Sequence, residues 1–241
     1  MSQLDLALEA EISTRHLSFV ETGRSTASRR MLLALADTLG MPMRERNALL
    51  AAGGFAPIWP ERGLDANELK AAREVIDIVL AGHLPFPAFA VDRRWTILAS
   101  NRALPGLYEG VDPALLAPPV NAMRLSLHPK GMAPKVLNLE EWRGHVLARL
   151  RAQFAATGDE ALGELLEELR GYGAERAPAD DGGAPLIPFR LASPAGPLSF
   201  LTTTLTFDAP LDVTLSELMV ECFFPADAET RARVQLMAAA T

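Results

Sequence analysis

Apolar residues return every three or four positions as far as Leu80, then gather into short runs with the period of strands. Within the first part, Ser2 to Gly23 reads as two short helices joined by a tight turn. Ser2 can cap the first helix, with Asp5 three residues on as its capping-box partner. Leu6 and Ala10 face inward with Ile12, Leu17 and Val20, and Ala7 is small enough for two helices to approach closely. Ser13 caps the second helix, whose outer side carries Thr14, Arg15, Ser18 and Phe19, and Gly23 supplies a left-handed end. A third helix over Ser28 to Leu39 repeats Met31, Leu32, Leu35, Ala36 and Leu39 and stops at Gly40. A fourth opens at Pro42, runs through Ala52 and ends at Gly53 and Gly54. Phe55 to Leu64, with Pro57, Trp59, Pro60 and Gly63, reads as a linker in which Trp59 packs against one of the domains. A further helix is predicted from Asp65 to Leu80, with Leu69, Ala72, Val75, Ile76 and Val79 on one face.

The period then changes. Phe86 to Val91 and Trp95 to Ala99 are apolar runs separated by Asp92, Arg93 and Arg94, the pattern of a hairpin. Ser100 and Asn101 begin a helix through Leu107. A long helix follows from Asn138 to Phe154, with Asn138 as cap and Glu141 at the capping-box position, and Asp159 starts another through Arg170. Gly171 to Pro185, rich in Gly, Ala, Pro and Asp, reads as an exposed loop. Leu186 to Ala192, Leu198 to Phe207 and Leu215 to Phe224 are three β-rich runs, turned at Pro194–Pro197 and at Asp208–Pro210. Asp227 caps a last helix. Two strands before the helices and three after them predict an α+β fold, a five-stranded antiparallel sheet with helices on one side.

Composition narrows the class. Hydrophobic residues make up 49% of the chain and mean hydropathy is +0.12, ample for a packed core. Residues 1–62 hold seven basic and seven acidic side chains, so the net charge of −7 lies wholly in the remainder. Within that neutral part Arg15, Arg24, Arg29 and Arg30 cluster around the second helix with only Glu21 against them. The single Cys222 excludes an internal disulfide and any multi-cysteine metal site. No apolar run reaches the roughly 18 residues needed to span a membrane, and the amphipathic start lacks a signal-peptide pattern, so a cytoplasmic protein is expected. No Gly-x-Ser-x-Gly, phosphate loop or Cys-x-x-Cys is present, and no enzyme, catalytic residue, metal site or cofactor is expected. The four histidines are scattered: His16 lies on the second helix, and His83 at a helix C-terminus that suits its dipole. His128 either caps a helix end or donates into a ligand pocket, and His145, beside Trp142, is a surface or packing residue.

Two short helices with a basic, hydroxyl-rich loop after them have the format of a helix-turn-helix that reads DNA. SQLDLALEA and STRHLSFVETGRS resemble the second and third helices of the XRE-type (phage repressor and Cro-like) DNA-binding domain. STRHLSFVETGR, followed by MRERNALLAAGGFAP at Met43 to Pro57, is similar to one subgroup, the MmyB/MltR-like bacterial regulators, which carry a PAS-like ligand-binding domain. The resemblance implies that Gln3, Ser13, Thr14 and Arg15, with Ser18 and Phe19 further along, touch DNA, and that Arg24 and its neighbours neutralise phosphates. It implies domains at 1–54 (DNA-binding), 55–64 (linker) and 65–241 (PAS-like). Two departures stand out. The family has a helix and a basic segment before the position of Met1, and here the chain starts on the cap of the second helix. Glu11 replaces the glycine common in the turn, and a side chain in a left-handed turn costs roughly 1 kcal/mol.

The order strand, Asp turn, strand, Asn-initiated helix also resembles the opening of PAS domains, which hold ligands between sheet and helices. The resemblance implies a small, largely apolar, fatty-acid-like ligand. Candidate linings are Phe89, Val91, Trp95, Ile97, Trp142, Phe200 and Phe223, each of which is more often simply core, and Arg93, Arg94 or His128 can meet a carboxylate. The expected protein is a one-component transcriptional regulator acting as a homodimer on a double-stranded operator, with no membrane partner. The alternative is a small-molecule-binding protein that no longer binds DNA because that first helix is absent.

Overall fold

The computed structural model describes residues 1–173 and 186–239. The chain divides into two compact units. One comprises Met1–Gly63 and Ala209–Ser216, the other Leu64–Asp208 and Glu217–Thr241.

The first unit is helical: α1 (Gln3–Glu9), α2 (Thr14–Glu21), α3 (Arg29–Thr38) and α4 (Met43–Ala52). Short hydroxyl side chains set its helix starts. The Ser2 and Asp5 side chains bond reciprocally across the first turn of α1, Ser13 accepts from the His16 amide, and Ser28 accepts from the Met31 amide. Gly23 and Gly40 adopt positive φ (72° and 60°) just beyond the ends of α2 and α3, as a left-handed cap requires. Glu11, between α1 and α2, takes φ 54° without being glycine. Ala7, Ala10, Leu17, Met31 and Leu35 form the core, with Leu6, Ile12 and Val20 packed against it.

Beyond α4 the chain is irregular but held. The Asn47 side chain accepts from the Ile58 amide (3.0 Å) and donates to the Trp59 carbonyl (2.7 Å), and Arg46 lies over the Trp59 ring. Residues 209–216 belong to this unit through the Val213 amide, which donates to the Pro60 carbonyl at 2.9 Å, and through an Arg62–Asp212 ion pair at 2.9 Å.

The second unit begins with α5 (Lys70–Gly82) and the hairpin β1 (Ala88–Val91) and β2 (Ile97–Ser100). Then come α6 (Ala122–Leu127), α7 (Leu139–Thr157) and α8 (Glu160–Arg170). The strands β3 (Phe189–Leu191), β4 (Leu198–Thr206) and β5 (Met219–Pro225) follow, with α10 (Ala228–Ala239) last; the short α9 (Val213–Glu217) before β5 falls almost wholly in the first unit. The five strands form one antiparallel sheet in the order β2-β1-β5-β4-β3. Strand period splits β1 between two cores: Phe89 and Val91 join one, Ala88 and Ala90 the other. The larger core lies between the sheet and α6, α7 and α8. The smaller takes Ile76 and Leu80 of α5 against Ala88, Ala90, Val220 and Cys222.

Several expectations are corrected. Helices cover both faces of the sheet, because α5 packs on the side opposite α7 and α8. The buried stripe of the α5 region is Leu69, Ala72, Ile76 and Leu80, while Val75 is exposed. Asn101 starts no α-helix: only a 3-10 turn over Leu104–Leu107 forms, because its buried side chain donates to the Leu80 and Phe86 carbonyls and accepts from the Ala88 amide. Asn138 stands at the start of α7 but does not cap it; its amide donates to Glu141 and to the Pro188 carbonyl, and its oxygen accepts from the Arg190 amide. Leu215 to Glu217, expected in a strand, belong to α9. The expected loop at Gly171–Pro185 lies outside the described residues from 174 onward.

Candidate DNA-reading face and ligand cavity

In the first unit the side chains expected at DNA lie on α2 and just beyond it, with Gln3 alone on α1. Thr14 and Arg15 are exposed in the first turn of α2, with Ser18 and Phe19 half-buried one turn later. The Arg15 guanidinium rests 5.3 Å from the centre of the Phe19 ring. Arg24, Arg29 and Arg30 are exposed just beyond α2 and at the start of α3. Two candidates are already engaged. Ser13 spends its oxygen on the His16 amide, and the Gln3 amide donates to the Glu21 carboxylate, which ties the start of α1 to the end of α2.

In the second unit a cavity of about 70 Å³ lies between the sheet and the helices α6 and α7. Sheet register builds its floor. Phe89 stands opposite Glu221 across β1 and β5, and Phe223 opposite Thr202 across β5 and β4, while Thr204, opposite Glu221, lies just beyond the lining. Of the ligand-binding candidates, Phe89, Trp95 and Trp142 line this cavity, as does Phe223. Trp142 donates to the Ser126 hydroxyl (2.8 Å) and Trp95 to the Gln153 side chain (2.6 Å), which fixes both indoles.

The other candidates lie elsewhere. Val91 is buried core, and Ile97 packs against that core without reaching the cavity. Phe200, fully buried, lines a second cavity of about 320 Å³ with Leu84, Pro87, Val234 and Met237, where Arg102 is exposed at the rim. His128 ends α6, accepts from the Lys130 amide through Nδ1 and meets Tyr172 edge-on. Arg93 and Arg94 both pair with Asp159, so none of the three basic groups proposed for a carboxylate faces the cavity.

The polar wall that does face it comes from residues the sequence reading passed over. Arg149 of α7 donates through Nη2 to the Glu221 carboxylate (2.7 Å) and to the Thr204 hydroxyl (2.8 Å), and Thr204 donates to Glu221 (2.7 Å). The guanidinium also stacks 4.3 Å from the Trp95 ring centre. Tyr108 and His145 complete the wall, and among the described residues neither side chain has a hydrogen-bond partner. Burial pushes the Tyr108 phenol above its ordinary range. Burial, then the Arg149 charge, holds the His145 imidazole below its ordinary value. His145 is therefore a cavity residue rather than a surface one. The one legible signal was Glu221, a lone carboxylate inside the apolar run Leu218–Phe224.

An exposed, arginine-bearing second helix in a helix-turn-helix, joined to a sheet-and-helix unit enclosing a cavity, defines a DNA-binding transcription regulator with a ligand-binding domain. The comparisons agree: residues 1–46 match the helix-turn-helix family, and residues 72–237 match the MmyB-like transcription regulator ligand binding domain. The second match spans over half of the chain, and the protein belongs to the MmyB-like transcription regulators. These families are regulatory rather than enzymatic. No curated protein matches the chain. Among the described residues no helix is long and apolar enough to cross a membrane, and no cluster of side chains could hold a metal ion.

Proposed function

We propose that this regulator reads an operator in the cytoplasm through α2, as a homodimer, under the control of a small and largely hydrocarbon ligand held in the 70 Å³ cavity. On this reading residues 1–54 are the DNA-binding domain, 55–64 the linker and 65–241 the ligand-binding domain. Arg15 and Thr14 read base edges, Gln3, Ser13, Ser18 and Phe19 orient α2 in the groove, and Arg24 contacts phosphate. A single helix-turn-helix covers only a few base pairs, so two copies on half-sites about one helical turn apart supply useful selectivity.

The observation that carries the ligand reading is convergence. Aromatic side chains from β1, α7 and β5 meet Tyr108, His145, Arg149 and Glu221 around one partly open cavity. The larger cavity at Phe200 has a volume suited to a ligand but brings only the exposed Arg102 as a charged group. Calorimetry with a panel of small aliphatic and aromatic compounds tests the reading. Binding there should show a negative heat-capacity change and should weaken operator binding or strengthen it. A saturating ligand that leaves operator affinity unchanged would remove the sensory role. Sedimentation showing only monomer, with and without operator, would remove the dimer.

A further inference from the structure

The charge on the cavity wall already cancels. Arg149 and Glu221 sit 2.7 Å apart, and Thr204 bridges them, so the pair enters any ligand complex as a neutral unit. The Tyr108 hydroxyl, the His145 imidazole and the Thr202 hydroxyl line the cavity with no hydrogen-bond partner among the described residues, and all are uncharged near neutral pH. Glu221 is itself 4% exposed, on the floor of the same space. A ligand carboxylate placed here would add a second negative charge beside Glu221 where little water screens it. The one cation on the wall, the Arg149 guanidinium, already offsets Glu221, so an added carboxylate would leave the wall with a net negative charge. The space is also small: 70 Å³ admits about five to seven water-sized groups.

Resting on the reading of this cavity as the ligand site, we infer that its ligand is compact and uncharged, an aliphatic or aromatic body ending in a neutral hydrogen-bonding group met by Tyr108 and His145. An amide, ketone, alcohol or lactone fits that description, and a fatty acid does not. A neutral imidazole offers one donor and one acceptor, and a phenol offers both, so a carbonyl or hydroxyl can be satisfied without moving the Arg149–Glu221 pair. The aromatic floor of Phe89, Trp95 and Phe223 covers the rest.

An isosteric pair tests this on the full chain. Pentanamide and pentanoate have the same shape and differ in charge at about pH 7.5, where a carboxylate is ionised. Ligand-observed NMR titration should show pentanamide binding at least about tenfold more tightly, because the carboxylate must enter beside the Glu221 charge. In Tyr108→Phe and His145→Phe, which remove a hydrogen-bonding group and leave Glu221 in place, pentanamide binding should weaken by about threefold or more. Equal or tighter binding of pentanoate overturns the uncharged ligand while leaving the cavity as a ligand site. Pentanamide affinity unchanged in both variants overturns the assignment of the two side chains. No saturable binding of either probe, or of 1-pentanol, removes the cavity as the ligand site altogether.

Discussion

Arg15 stands in the first turn of α2 with its guanidinium over the Phe19 ring, 5.3 Å from its centre. An exposed contact of that kind holds the arginine by only about 0.5–1 kcal/mol, less than a bidentate contact to guanine returns. Arg15→Ala should therefore weaken operator binding by about 1–3 kcal/mol and relax selectivity at one position of each half-site. Fluorescence anisotropy at fixed salt, on operator and scrambled duplexes, separates this from phosphate contact, which would weaken both equally. At the cavity, Glu221 depends on Arg149 and Thr204. Arg149→Met leaves a buried carboxylate short of its cation and should cost about 1–3 kcal/mol of stability; the arginine is partly exposed, which keeps the figure below that of a fully buried pair. Arg149→Met with Glu221→Gln should recover part of the loss, read as the urea midpoint at unchanged slope. If the double variant is no better than the single one, the carboxylate charge is not what Arg149 compensates. Phe89, Trp95 and Trp142 were legible in the sequence as candidate linings because large aromatics in apolar runs face a core or a cavity. Arg149, Tyr108 and His145 were not, since their placement depends on which side of α7 meets the sheet and on how the 3-10 turn at Leu104–Leu107 folds.

Among the elements, α8 shows how one carboxylate can fix both a helix start and a loop. Asp159 accepts from the Ala161 amide (3.1 Å) as N-cap and takes Arg94 through both oxygens (3.0 Å each), while Arg93 reaches it at 3.0 Å. Burial works to raise its pKa; the Arg94 bonds, the Ala161 amide and the two arginine charges outweigh burial, so it lies below the ordinary 3.8. A carboxylate whose folded pKa is depressed stabilises the fold fully above its unfolded value and loses that contribution as pH falls through the folded one. Asp159→Asn keeps a capping oxygen but loses the ion pairs, so its deficit against the native protein should be present at pH 6 and shrink as the pH is lowered below about 4. Asp159→Ala also loses the cap and should cost about 1 kcal/mol more across that range. Urea melts across the pH series check both, and a deficit in Asp159→Asn that does not vary with pH would refute the ionic role. The caps at Ser2, Ser13, Ser28, Asp159 and Asp227 were legible because each works within its own helix turn. Asn101 and Asn138 misled for the opposite reason: their partners, the Leu80 and Pro188 carbonyls, are distant in sequence and invisible to a local pattern.

At the scale of the whole chain, connectivity suggests how a ligand could be felt at DNA. The chain leaves the first unit at Gly63, builds β1 to β4 in the second, returns for Ala209–Ser216, and only then enters β5. The strands on either side of that return are the two that carry Thr202, Glu221 and Phe223 to the cavity. Residues 209–216 are firmly held where they return: Asp212 is 3% exposed and paired with Arg62, and the Thr214 hydroxyl donates to the Arg62 carbonyl at 2.6 Å. Asp212 also accepts from the Thr214 amide (2.9 Å) at the start of α9. A ligand that alters the spacing of β4 and β5 would therefore pull, through two covalent joins, on a segment anchored to Pro60 and Arg62 of the unit that carries the helix-turn-helix. Coupling of this kind is a ratio of affinities, typically about 5- to 150-fold, and is reciprocal between the two sites. Asp212→Ala removes the anchoring carboxylate and leaves a partly exposed arginine that water can solvate. It should bring the ligand-induced change in operator affinity towards unity, within about twofold, while operator affinity without ligand and ligand affinity without operator stay near native. Anisotropy titrations with and without saturating ligand measure all four affinities of the cycle. If the ratio survives in Asp212→Ala, the signal travels by another route, and the return of residues 209–216 serves only to hold the linker in place.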